Sequence, residues 1–429
     1  MTEDLDSSAL QANLRHLHTF VAVAEAGSIA NAARMLFRAP SAVARAIAAL
    51  EEAVQADLFE RKPHGLLVSA YGRALLLRAK QVEQELSIAC DELNNARPDR
   101  RGINCQTLMI LMFNGRRVAA VASLAEMHNM GSVAQQLQMT QPAISAVVRE
   151  LESRLGVSLF QRSPKGVTPT IYGETLAFRF SRVLYELRNI EPDLRAFEGI
   201  SAGRITVGAL PLCRAELLPI AVARFLEKHP KVRVSTVESP YESLVAGLRS
   251  GDIDLMIGAL RNSAEAPDLE QIPLFEDRLS IIVRAGHPLT RMKEVQHRDL
   301  NRWRWVLGRN GSPSRSRLDA AFSQAGEAVP VPAVQTGDLA ILRALLLHSD
   351  MVTSTSPHEL RYELDTGEVV ALKFSIEGSE RTIGVVRRLS ARASPPVHAL
   401  MDELRLATED YLLPGSRLPV RAMTSSRAA

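Results

Sequence analysis

Gln141, Ser145 and Arg149 stand on one side of a segment whose other side carries Ala143, Ile144, Val147, Val148 and Leu151. A helix over 141–155 would therefore bury an apolar stripe and hold polar groups outward. Thr140 is placed to cap that helix, and Pro142 falls in its first turn, where a missing N–H costs nothing. Amide, hydroxyl and guanidinium groups at the leading end of an exposed helix are the groups that read base edges in the major groove of DNA. Such a helix needs a frame. Val118 to Met127 has the apolar period of one supporting helix, Ser132 to Leu137 that of a short second, and Met139-Thr140 makes the turn into the third. Beyond Leu155, "GVSLFQRSPKGVTPT" sets two extended runs around Pro164-Lys165-Gly166. From this small wing Arg162, Lys165, Thr168 and Thr170 are expected to reach phosphates, fixing register without reading sequence.

The frame occurs twice. "LFQRSPKG" at Leu159 repeats "LFERKPHG" at Leu58, 101 residues earlier, and the same offset relates Ala24-Glu25 to Ala125-Glu126, Leu50-Glu51 to Leu151-Glu152, and Tyr71-Gly72 to Tyr172-Gly173. In the first copy Ser41, Arg45, Arg61 and Lys62 are the corresponding DNA-facing candidates. Each copy ends in a long helix with a heptad seam: Leu75, Ala79, Val82, Leu86, Ala89 and Leu93, then Leu176, Phe180, Val183, Leu187 and Ile190. The seam is expected to join two chains, in a homodimer or homotetramer; the alternative is a helix packed on its own module. Pro192 should stop or kink the second helix after Ile190. The expected divisions are copy one at 12–95, a linker at 96–114 including Arg97 to Gly102, copy two at 115–198, an α/β domain at 203–412 and a tail at 413–429.

Composition bounds the rest. With 46% hydrophobic and 23% charged residues, the chain is globular, and at 429 residues it needs several cores. The net charge of +3 is modest, and residues 116–198 hold ten Lys or Arg against eight Asp or Glu, so DNA binding would rest on where charge sits. No apolar run is long enough to span a bilayer, and Glu3, Asp4 and Asp6 occupy the place of a signal peptide's basic segment, so a cytoplasmic location without membrane association is expected. Cys90, Cys105 and Cys213 have no CxxC spacing and read as reduced thiols.

These motifs resemble the LysR-type transcriptional regulators, whose N-terminal module runs "SQPALSRQIRRLE…LGVRLFER…LTEAG". "TQPAISAVVRELESRLGVSLFQRSPKGVTPTIYG" follows that pattern closely, and "APSAVARAIAALEEAVQADLFERKPHG" follows it less well, with Pro40 and Ala44 in place of the glutamine and serine. Copy two instead has Ala146 where an arginine is common. The family normally carries one such module per chain. The resemblance implies two winged helix-turn-helix modules with linker helices, then a two-lobed, periplasmic-binding-protein-like α/β effector domain. It also implies an operator of double-stranded DNA, a small-molecule effector, RNA polymerase as a further partner, and no cofactor.

From Gly203 the texture changes to strands alternating with helices. Ligands of open α/β sheets sit beyond the carboxyl ends of strands. That rule selects Pro211, Leu212, Arg214, Pro240, Tyr241, Gly258 and Arg261 in one lobe, and Ser312, Arg315, Thr336 and Ser354 in the other. Arg315 suggests a carboxylate, which guanidinium grips with two hydrogen bonds. The effector is expected to be a carboxylic (aromatic) acid or a sugar. Enzyme readings fail on context: "GISAG" at Gly199 has a helix before it where a nucleophile elbow needs a strand, and "HELRY" at His358 has Tyr362 where a zinc helix needs its second histidine. No catalytic or metal-binding residue is therefore assigned.

Overall fold

The two repeated segments fold alike because the same residue types stand at the same steps. The computed structural model describes residues 14–62, 65–96, 112–163 and 166–412, without the side chains of 61, 62, 162 and 163. The first unit comprises α1 (Leu14–Ala26), α2 (Ile29–Met35), α3 (Pro40–Val54), a hairpin of β1 (Phe59–Lys62) and β2 (Gly65–Val68), and α4 (Ala70–Asn95). The second comprises α5 (Gly115–Met127), α6 (Met130–Gln136), α7 (Gln141–Leu155), a hairpin of β3 (Phe160–Ser163) and β4 (Gly166–Pro169), and α8 (Ile171–Arg188).

Repeated residues hold the joints of each unit. Glu51 accepts the Leu58 N–H at 2.9 Å, and Glu152 accepts the Leu159 N–H at 2.8 Å. Ser69 caps α4 by accepting from Gly72 and donates to the Asp57 carbonyl; Thr170 caps α8 by accepting from Gly173 and donates to the Ser158 carbonyl. A Cβ on Gly72 or Gly173 would stand 2.2 or 2.0 Å from the carbonyl oxygen of Leu58 or Leu159, so this close approach of helix to strand requires glycine. Thr170, expected on a phosphate, is thus corrected: its hydroxyl is committed to the turn that starts α8.

The long helices pair with each other. Leu75, Ala79, Val82, Leu86, Ala89 and Leu93 of α4 lie in one core with Leu176, Phe180, Val183 and Leu187 of α8 and with Ile190 and Leu194 beyond it. Beside the seam, Arg78 donates to Asp193 through Nε and Nη2 at 2.9 and 3.2 Å and to Glu186 at 2.7 Å. Arg179 likewise donates to Glu92 at 2.8 Å and to Glu85 at 2.9 Å. The seam expected to join two chains is therefore filled within one, because the duplication supplies a complementary helix covalently. α8 ends at Arg188 with Asn189 as its cap, and Pro192 sits in the first turn of α9 (Ile190–Arg195), close to the expected stop.

The remaining described chain forms a five-stranded sheet in one lobe, and a three-stranded and a two-stranded sheet in the other. β5 (Gly203–Ala209) leads to α10 (Pro211–Ala215) and α11 (Leu217–Lys228), β6 (Val232–Val237) to α12 (Tyr241–Ser250), and then come β7 (Leu255–Ala259) and β8 (Leu269–Asp277). Next follow β9 (Ser280–Arg284), β10 (Trp305–Leu307), α13 (Pro313–Gln324), β11 (Pro332–Gln335), α14 (Leu339–His348), β12 (Thr353–Thr355), α15 (Arg361–Thr366) and β13 (Val369–Ala371). β14 (Arg381–Arg388) and α16 (Pro395–Leu412) close the chain. The first sheet has the order β6-β5-β7-β14-β8, parallel from β6 to β7 and antiparallel at β14. In the second lobe β12-β9-β13 is antiparallel, and Trp305 of the parallel pair β10-β11 bridges to Val352 beside β12. The chain crosses between lobes after Asp277 and before Arg381, and these two residues form a buried ion pair at 2.7 Å.

Candidate nucleic-acid interface and ligand cleft

α7 spans the residues expected of it, with Thr140 as N-cap accepting from Ala143 at 3.3 Å and Gly156 in the left-handed conformation at its end. Ile144, Val148, Leu151 and Leu155 are buried; Gln141, Pro142 and Arg149 are exposed, and Ser145 is half-buried. Among the described residues no hydrogen bond or ion pair engages the side chains of Gln141, Ser145 or Arg149. That leaves a guanidinium, an amide and a hydroxyl outward on one helix face, the groups that base edges accept from and donate to. Thr168 is exposed on β4. Arg162 lies in β3, but its side chain, like those of Arg61 and Lys62 in β1, falls outside the described residues, as does the whole of Lys165.

In the first unit α3 begins without a side-chain cap, at Ala39, and ends with Gln55 in the left-handed conformation. Val43, Ile47, Leu50 and Val54 are buried, and Pro40, Ser41, Ala44, Arg45 and Ala48 are exposed. The hairpins are pinned back in the same way in both units, Leu66 N–H donating to the Gly27 carbonyl at 3.1 Å and Val167 N–H to the His128 carbonyl at 2.9 Å.

The expected ligand positions divide. Pro211 starts α10, and Arg214 in its last turn reaches across to the Gly337 carbonyl of the second lobe at 3.5 Å. Pro240 is exposed, and Tyr241 lies under the Arg261 guanidinium, 3.5 Å from its ring centre, while Arg261 also pairs with Glu242 at 3.2 Å. Ser312 caps α13, and the Thr336 hydroxyl accepts from Asp338. Ser354 is buried in β12 with a hydroxyl that has no hydrogen-bond partner among the described residues.

Two expectations are corrected here. Leu212 is buried in the core of the first lobe, because α10 turns its apolar side to the sheet. A Cβ on Gly258 would stand 2.5 Å from Leu210, so this glycine serves packing. Arg315 is drawn inward, donating through Nε to Asp319 at 2.6 Å and through Nη2 to the Pro330 carbonyl at 2.9 Å, while its Nη1 is buried without a hydrogen-bond partner among the described residues.

Other groups were missed. At the lobe crossover the Ser356 hydroxyl donates to Asp277 at 2.6 Å, Arg381 donates to Ser314 at 2.7 Å, and Thr355 donates to Glu359 at 2.6 Å. Burial pushes the Glu359 carboxyl above its ordinary range, with the Thr355 bond and Arg381 opposing. Nothing local in the sequence marks this cluster, whose segments are 79 residues apart where Asp277 meets Ser356 and 67 where Ser314 meets Arg381.

The model of the bacterial regulatory helix-turn-helix protein, lysR family, matches residues 14–73 and 116–174, and that of the LysR substrate binding domain matches residues 199–408. The chain is 40% identical over 393 residues to the HTH-type transcriptional regulator GalR of Pseudomonas putida, covering 92% of this chain and 96% of that protein. This chain belongs to the LysR family. The family's members are DNA-binding transcription regulators with an effector-binding domain, and not enzymes. The HTH-type regulator YdcI of Escherichia coli is 28% identical, matching 68% of this chain and 94% of its own length, so this LysR protein is the longer of the two. A full-length OxyR from Pseudomonas aeruginosa shares the fold, with a TM-score of 0.52 at 23% identity over 68% of this chain and 94% of that one. Among the described residues no helix is long and apolar enough to cross a membrane.

Proposed function

We propose that both N-terminal units are winged helix-turn-helix modules in tandem, acting on duplex DNA in the cytoplasm, and that the second is the principal reader. Gln141, Ser145 and Arg149 contact base edges, with Thr140 and Pro142 ordering the helix start, and Thr168, Arg162 and Lys165 contact phosphates. Ser41, Arg45, Arg61 and Lys62 are their counterparts. The outward, unengaged face of α7 supports this reading above any other observation. Affinity for a selected duplex should fall steeply with salt, because bound phosphates release counterions. Replacing Gln141 and Ser145 by alanine should relax sequence preference by about tenfold per lost base contact while leaving nonspecific affinity intact, measured by fluorescence anisotropy on matched and mismatched duplexes. Unchanged preference would overturn the assignment.

The same reading places a small-molecule effector between the lobes, near Pro211, Arg214, Pro240, Tyr241, Thr336 and Ser354. Arg214, which spans the cleft, and the unpartnered Ser354 hydroxyl favour a small carboxylic acid over a sugar. Thermal-shift titration of the full chain with aromatic carboxylic acids and with sugars tests this. A shift by sugars alone would reverse the choice.

A further inference from the structure

Two features of the paired units bear on the shape of the DNA site. The first is that their contacts exchange under the repeat. Shifting each residue by the 101-residue offset turns Arg78–Glu186 into Arg179–Glu85, and Arg78–Asp193 into Arg179–Glu92. The ring contact of Tyr71 on Phe197, at 5.1 Å, becomes the bond from Tyr172 to the Ala96 carbonyl, at 3.2 Å. When residue i meets j and the counterpart of j meets the counterpart of i, the interface has the logic of a twofold axis. Here that axis runs through a single chain, between α4 and α8, and relates α3 to α7. Helices related in this way address two half-sites in opposite orientation.

The second feature is that the two helices agree inside and disagree outside. The buried positions Val43, Ile47, Leu50 and Val54 of α3 answer to Ile144, Val148, Leu151 and Leu155 of α7, all branched apolar residues. On the outward face none of five positions is kept: Pro40, Ser41, Ala44, Arg45 and Ala48 stand where α7 has Gln141, Pro142, Ser145, Ala146 and Arg149. The turn before each helix differs too, with exposed Met35 and Phe37 in place of Gln136 and Gln138. Methyl groups on α3 suit thymine methyls, and Arg45 suits guanine, whereas Gln141 and Arg149 on α7 suit adenine and guanine.

Resting on the DNA-binding reading above, we infer that one chain carries both reading heads and fills an operator of two oppositely oriented, dissimilar half-sites. The pair that other proteins assemble from two identical copies is here built into one chain, freeing the heads to differ. A palindrome would then be a poor site, since one half would meet the wrong face.

The test is selection of binding duplexes from a random pool by the full chain, followed by titration on a duplex carrying one pair of selected half-sites. The expected consensus has two unlike halves, and binding to the single pair is first order in chain. A variant with Pro40→Gln, Ser41→Pro, Ala44→Ser, Arg45→Ala and Ala48→Arg, all at exposed positions, should shift the consensus to an inverted repeat of the half read by α7. A native consensus with identical halves, second-order binding to one pair, or an unmoved consensus in the variant would each overturn the inference while leaving the DNA-binding reading in place. Selection of no duplex would overturn both.

Discussion

At the scale of single residues, what decides a role is whether the side chain's polar groups are already engaged. Arg315 and Arg149 are the same residue type on helices, yet Arg315 is buried against Asp319 and Pro330 while Arg149 stands out to solvent. Sequence position alone selected both. His358 shows the same dependence on surroundings. It lies against the rings of Phe275 and Tyr411, at 5.6 and 4.8 Å between centres, and burial lowers its pKa below the ordinary 6.5, with Asp277 opposing. A base whose folded pKa is depressed binds its proton in the unfolded chain first. Stability is therefore full above about pH 6.5 and falls as pH drops from there toward the lowered folded value. Burial lowers His16 and His287 in the same direction. The melting temperature should accordingly drop between about pH 7.5 and about pH 5.5, and His358→Asn should reduce that drop in part. A pH dependence identical to that of the native chain would assign the loss elsewhere.

At the scale of elements, the parts of the fold written in local pattern were legible and those written in distant pairing were not. The 3.6-residue period, the Thr140 cap and the hairpin signal located α5 to α8 to within a few residues. The repeat of Leu-Glu and Tyr-Gly is now given a reason, because Glu51 and Glu152 pin the following strand and Gly72 and Gly173 admit it. Gly173→Ala should cost about 1–3 kcal/mol in denaturant unfolding, since the new methyl would stand 2.0 Å from the Leu159 carbonyl oxygen, a backbone atom that cannot swing aside. A neutral effect would mean that α8 can slide away from Leu159. What the heptads concealed was the identity of their partner, since a seam specifies a complementary helix and says nothing of which chain supplies it. The signal was present in the charges: Arg78 and Arg179, Glu85 and Glu186, Glu92 and Asp193 repeat with the same offset as the motifs. Arg78 is wholly buried, so Arg78→Met would strand two carboxylates. Breaking such an arrangement costs about 3–5 kcal/mol, to be read from the shift in unfolding midpoint.

At the scale of the whole molecule, the DNA-facing half and the α/β half meet through a few shared groups. Arg188 on α8 donates to the Gly251 carbonyl at 2.6 Å and pairs with Asp254 at 3.0 Å, and the guanidiniums of Arg188 and Arg388 both lie over the Tyr185 ring, 5.0 and 4.6 Å from its centre. Glu186 faces Arg78 at 2.7 Å and Arg388 at 3.6 Å, so one carboxylate touches the first unit's helix and the last residue of β14. The other end of β14 is Arg381, paired with Asp277 where the chain crosses between lobes. A single strand thus runs from the lobe crossover to the paired helices, and a change in lobe angle that tilts it must disturb Glu186. Arg388, through Glu186, is one contact by which such a tilt would reach Arg78 on α4, beside the direct bond from Arg78 to the Arg392 carbonyl at 2.9 Å. Arg388→Ala should leave duplex affinity without effector, and effector affinity without duplex, close to native. It should shrink the change that effector makes in duplex affinity by an amount worth about 0.5–2 kcal/mol, measured as the ratio of dissociation constants with and without effector. An undiminished ratio would place the coupling in Arg188 and Asp254 instead, where Arg188→Ala would then abolish it.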